Sequence, residues 1–168
     1  MRVTRAARAG VLLVAMALAQ AAQADTSVPL GGLRADPSAP VEIEADSLSV
    51  SQTDGTATFE GNVLIAQGDM RLGAEKVTVV YSAASDGEEG RIERLEASGG
   101  VTLASGTEAA EAQEAVYDVP LSRITMTGDV LLTQGRSVIS GQKLVVDLAS
   151  GTGTMEGRVR TVLQPGGN

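Results

Sequence analysis

Carboxylates and two lysines are the side chains here that could do chemistry, because no His, Cys or Trp occurs among the 168 residues. Without an imidazole base, a thiolate nucleophile or the usual zinc ligands, the common hydrolytic and redox constellations are excluded. What remains is a row of acids, Glu108, Glu111 and Glu114, a second acidic stretch at Asp86, Glu88 and Glu89, and the pair Lys76 and Lys143. Acids so placed could hold a divalent cation or act as an acid and base pair. Their spacing lacks the oxygen-rich order of a calcium loop, and the simpler reading of both groups is a solvated face. The chain is therefore expected not to be an enzyme, and to carry no catalytic residue, no metal site and no cofactor. Lys76 and Lys143 fall at equivalent places in two similar stretches. As outward charges they discourage edge-to-edge strand pairing; contact with an anionic ligand group is their alternative role.

The elements that must position these residues are strands. From Val41 onward, short Val-, Ile- and Leu-rich segments with an apolar residue at most second positions alternate with Gly, Asp and Ser clusters, the pattern of half-buried strands and turns. One half-unit recurs around Gly61-Asn62-Val63, Gly99-Gly100-Val101, Gly128-Asp129-Val130 and Gly157-Arg158-Val159, its glycines spaced 38, 29 and 29 residues apart. A second recurs around Leu48, Val77, Ala115 and Leu144, spaced 29, 38 and 29. Both ladders carry one long interval, and the long intervals overlap, which places a single nine-residue insertion at Ser82 to Gly90. Agreement of two ladders on one insertion makes this an internal repeat.

Alternation puts Phe59, Gly61, Val63 and Ile65 on one face, and by the same parity Val101 with Leu103, Val130 with Leu132, Val77 with Val79 and Tyr81, and Leu144 with Val146 and Leu148. Successive units thus stack one apolar face in register. The recurring glycine reads first as a bulge or corner at the same height in each unit, and second as room left for a bound chain. Large side chains usually dominate a core, but Phe59, Tyr81 and Tyr117 are the only aromatics. The interior is therefore expected to be incompletely filled, a groove wall more than a finished core; a thin stack that packs well with aliphatics alone is the competing expectation.

Arg2, Arg5 and Arg8 ahead of an apolar run from Val11 to Ala19, followed by Ala22-Gln23-Ala24, predict a cleavable leader over residues 1–24 with cleavage after Ala24. That run is shorter than the roughly 20 residues a membrane span needs. The formal net charge is −8, and loss of three leader arginines makes it more negative, so nucleic acid and anionic membrane surfaces are excluded as electrostatic partners. Residues 25–40, with Pro29, Gly31, Gly32 and Pro37, read as a flexible N-terminal arm outside the core, and residues 166–168 as a tail.

Taken in order, Pro40 to Leu48, Ala57 to Gly68, Leu72 to Val77 and the closing Arg158 to Pro165 resemble the OstA-like LptA family of periplasmic lipopolysaccharide transport proteins, over Val41 to Pro165. The resemblance implies an all-β, open β-jellyroll of stacked antiparallel strands over residues 41–165, bent into two facing sheets. It implies a periplasmic carrier that shields lipid A acyl chains in an apolar groove between the inner and outer membranes. Its implied partners are lipopolysaccharide through the acyl chains, an inner-membrane LptC-type protein, an outer-membrane LptD-type translocon and further copies of itself, head to tail. The inward residues expected to line the groove are Ile43, Leu48, Phe59, Val63, Ile65, Leu72, Val77, Val79, Val101, Leu103, Val130, Leu132, Leu144 and Val146. An LptC-type membrane-anchored relative and a purely structural β-repeat are the rival expectations.

Overall fold

A computed structural model describes residues 26–30, 33, 38–83 and 90–163. The expected leader, residues 84–89 of the insertion and the tail lie outside the described residues. The described chain is all β: β1 (Thr26–Pro29), β2 (Glu42–Glu44), β3 (Ser47–Ser51), β4 (Thr56–Gln67), β5 (Met70–Tyr81), β6 (Ile92–Ser105), β7 (Glu108–Asp118), β8 (Arg123–Gln134), β9 (Ser137–Asp147), β10 (Thr152–Glu156) and β11 (Arg160–Val162). All pairings are antiparallel, in the order β1-β10-β9-β8-β7-β6-β5-β4-β2, with β3 also on β4 and β11 also on β9. The path is open, ending at β1 on one side and at β2 with β3 on the other.

The half-units of the sequence turn out to be halves of long strands. Register shifts interrupt the ladder between Glu60 and Val63, between Ser98 and Val101, and between Thr127 and Val130. At each shift two consecutive residues have positive φ: Gly61 and Asn62, Gly99 and Gly100, Gly128 and Asp129, with Gly157 and Arg158 repeating the feature between β10 and β11. The glycine is required twice over at these corners. Its backbone lies in a region that L side chains avoid, and a Cβ at Gly61, Gly99, Gly128 or Gly157 would press on the side chain of Asp46, Glu75, Gln113 or Gln142 respectively. Those four neighbours are spaced 29, 38 and 29 residues apart, the rhythm of the second ladder. The recurring glycine is therefore a bend inside a strand, as its first reading had it.

The bends divide the sheet into two arms. The first holds β3, β10, β1 and the parts of β4 to β9 paired around residues 56–60, 76–80, 94–98, 114–118, 123–127 and 143–147. The second holds β2, β11 and the parts at 63–67, 70–74, 101–105, 108–112, 130–134 and 137–141. Their apolar faces meet in one buried cluster.

Two expectations are corrected. Of the expected arm over residues 25–40, the described residues 26–30 and 33 do not stay out of the core: β1 pairs β10, and Leu30 and Leu33 are fully buried, because the last repeat strand of the first arm would otherwise expose its edge and its apolar face. Bulk in the interior comes from Met70, Met126, Met155, Leu30 and Leu33 beside one buried aromatic, Tyr117. Tyr81, expected inward, is exposed, since the register with β6 slips between Val80 and Tyr81.

Candidate functional site

The inward faces are built from cross-strand rows. In the first arm one row runs Leu48, Phe59, Val77, Ala97, Ala115, Met126, Leu144, Met155, each residue opposite the next. In the second arm a row runs Ile43, Ile65, Leu72, Leu103, Ala110, Leu132, Ile139. The structure brings together the residues expected to line a groove. Val63, Ile65, Leu72, Val77, Val79, Val101, Leu103, Val130, Leu132, Leu144 and Val146 are all buried, while Ile43 and Phe59 are half-buried. Leu48, although in the inward row, is 56% exposed. Burial is thus graded along the row: open at β3, sealed at Met155.

The seal is made by the N-terminal segment. Leu30 donates its backbone N–H to the Gly151 carbonyl at 2.9 Å, and its side chain fills the space over Gly153, where a Cβ would collide with Leu30 Cδ1. Leu33 donates its N–H to Glu108 Oε2 at 3.0 Å, and Gln134 Nε2 donates to Glu108 Oε1 at 3.0 Å. Further along, Gln67 Nε2 donates to the Ala39 carbonyl at 3.2 Å, while its buried Oε1 has no partner among the described residues. Gln67, Ser105 and Glu108 are the buried polar residues among those described. They lie at the hairpin ends of the second arm, where a buried polar group needs a partner, and two of them find it in this segment.

That polar row was missed by sequence reasoning, although a signal existed: Gln67, Ser105 and Gln134 each follow a corner glycine by six residues, spaced 38 and 29 apart. Glu108, read as part of a solvated face, is instead 8% exposed and hydrogen-bonded inward, whereas Glu111 and Glu114 are exposed. No cluster of acids fit to hold a metal ion occurs among the described residues. Lys76 and Lys143 each form an ion pair with the acid opposite, Glu60 at 2.9 Å and Glu156 at 3.1 Å. Both glutamates directly precede a corner glycine. These are half-exposed pairs worth about 0–1 kcal/mol each, and they fasten neighbouring strands on the outer face.

Titration is perturbed at few places. Burial pushes the Tyr117 phenol up. Hydrogen bonds from the Ser150 N–H and hydroxyl hold the Asp147 carboxyl below its ordinary range, and hydrogen bonding to Glu96 raises the Arg94 guanidinium. No helix among the described residues is long and apolar enough to cross a membrane.

This geometry defines a class: a bent antiparallel jellyroll with an apolar interior between two arms, open at one end of the stack. Comparison with known proteins gives the family. Residues 42–152 match the family described as LptA/(LptD N-terminal domain) LPS transport protein, and the chain belongs to that family. An uncharacterized Rhizobium meliloti protein is 32% identical over 118 residues, 68% of this chain and 61% of that protein. The lipopolysaccharide export system protein LptA of Escherichia coli K12 is 33% identical over 63 residues, 38% of this chain and 34% of LptA. The aligned regions thus span less than two thirds of these relatives. In fold, the chain is similar to the crystal structure of LptH, the LptA-homologous periplasmic component of the lipopolysaccharide transport device of Pseudomonas aeruginosa. The TM-score is 0.66 at 19% identity, covering 78% of this chain and 99% of LptH.

Proposed function

We propose that this protein is a periplasmic carrier that shields the acyl chains of lipopolysaccharide between the two arms on the way from inner to outer membrane. One observation carries the reading: the inward rows are apolar from end to end in both arms and lose their cover at β3, where Leu48 is exposed and Phe59 half-buried. An acyl chain laid along these rows from the open end exchanges water for methyl groups, at about 0.8 kcal/mol per methylene. Affinity on that scale needs no charge pairing, which suits an acidic protein and an anionic lipid whose head group stays in solvent.

Photoreactive residues replacing Val63 and Leu103 are expected to capture lipopolysaccharide, while those replacing the outward Glu60 and Thr102 are not. Equal labelling of both faces rules the carrier reading out. Copurified lipid A, found by mass spectrometry, separates a carrier from a purely structural β-repeat.

The same proposal includes assembly. An open sheet has two different edges, and joining one copy's β3 edge to the next copy's last strand is a heterologous, non-closing contact that builds a filament. Such a filament, flanked by an LptC-type protein at the inner membrane and an LptD-type translocon at the outer, gives the acyl chains a continuous path.

A further inference from the structure

The N-terminal strand stands outside the repeat, yet it occupies a repeat strand's place. β1 lies antiparallel to β10 with Thr26 opposite Met155 and Val28 opposite Gly153. At the far edge, β3 puts Leu48 in the row that ends at Met155 and Val50 in the row that ends at Gly153. Both side chains are largely exposed. The run β3-β4-β5-β6-β7-β8-β9-β10 is antiparallel at every step. A second copy stacked in the same sense therefore brings its β3 antiparallel to β10, Leu48 taking the place of Thr26 and Val50 that of Val28.

β1 cannot pass this edge on. The Leu30 N–H bond to Gly151 fixes the phase of the ladder, so residue 29 turns its nitrogen outward, and Pro29 has no N–H to offer. β1 therefore ends the sheet as well as covering it.

We infer that Thr26–Leu30 with Leu33 form a displaceable strap, an internal stand-in for β3 of a second copy. When that strand takes the β10 edge, β1 leaves, and Leu30 and Leu33 are drawn out of the interior from Gly153 and Glu108. The closed end then opens only where it meets another copy. The inference rests on the head-to-tail half of the proposed function and not on acyl binding.

The chain lacks cysteine, so Ser27→Cys with Thr154→Cys, a directly opposed pair in the non-hydrogen-bonded phase of the ladder, makes a single reversible tether. By light scattering, mass is expected to grow with concentration in the reduced protein, whereas the oxidised protein stays monomeric to at least tenfold higher concentration. Val28→Asp, which weakens the strap without a tether, is expected to lower the onset of growth at least threefold. In the assembled fraction the Leu33 amide is expected to exchange with solvent at least tenfold faster than in the monomer. Equal growth of oxidised and reduced protein, an unmoved onset in Val28→Asp, or unchanged Leu33 protection overturns the strap alone. Absence of growth in every form overturns the strap and head-to-tail assembly together, and leaves the acyl-binding reading to the cross-linking experiment.

Discussion

The two ends of the strand stack carry the same inward row and treat it in opposite ways. At the β3 end, Leu48 and Val50 are 56% and 64% exposed and nothing described lies beyond them. At the β10 end, Met155 is fully buried, β1 covers the edge, and Leu30 and Leu33 close the space between the arms. Repetition alone would leave both ends alike. The difference comes from a segment that is not part of the repeat, and it leaves one end uncovered and the other already satisfied.

The sharpest test of that asymmetry compares one row at its two extremes. Met155→Ala empties a filled site and is expected to cost about 2–5 kcal/mol in urea unfolding, while Leu48→Ala, in the same row, is expected to cost less than about 0.5 kcal/mol. Similar losses at both positions would mean that the open end is as packed as the closed one. Next in size, Glu108→Ala removes the acceptor of the buried Leu33 N–H and is expected to cost about 1–3 kcal/mol, with faster amide exchange at Leu33 and unchanged exchange in β3. A paired Leu48→Glu and Val50→Glu change is expected to leave the unfolding midpoint nearly unmoved, and to abolish concentration-dependent growth in mass.

The smallest effect is acidic. Asp147 ends β9, just before the turn that leads into β10, and its pKa is lowered in the fold, so its stabilisation is present above the unfolded carboxylate value of about 4 and is lost as pH falls through the lower folded value. Asp147→Asn is expected to lower stability slightly near neutrality and to leave it unchanged below the folded value, which flattens that acid limb of the profile, measured by urea unfolding at a series of pH values.

Sequence reasoning reached most of this fold because its determinants are local and repeated. The corner glycines, the alternation around Val63, Val101 and Val130, and the insertion were visible as spacing, since each strand meets only its neighbours and the same contacts recur in every unit. The family, too, was legible from the order of those segments. The N-terminal segment was not. Pro29, Gly31 and Gly32 carry loop propensity, and the partners that bury Leu30 and Leu33 lie far along the chain at Gly151, Gly153 and Glu108, where no periodicity points to them. The same blindness made Glu108 look like a surface acid: in a strand, spacing of three says nothing about which carboxylate receives a long-range hydrogen bond. Bulk was only partly legible, because counting aromatics overlooked three buried methionines, residues that fill irregular gaps well.

The pairing of β1 with β10 also imposes an order in time. Every other strand can form against a partner that is near it in sequence, whereas β1 must wait for the distant end of the chain, with the loop-closure cost and the delay that long-range pairing carries. The earliest of the described strands therefore docks last, and until it does, a newly folded stack offers both of its edges at once. In the proposed head-to-tail assembly, meeting a neighbour, whose rate rises with concentration, then competes with closing on itself, whose rate does not, so the concentration of fellow chains at the moment of folding sets how many end up capped.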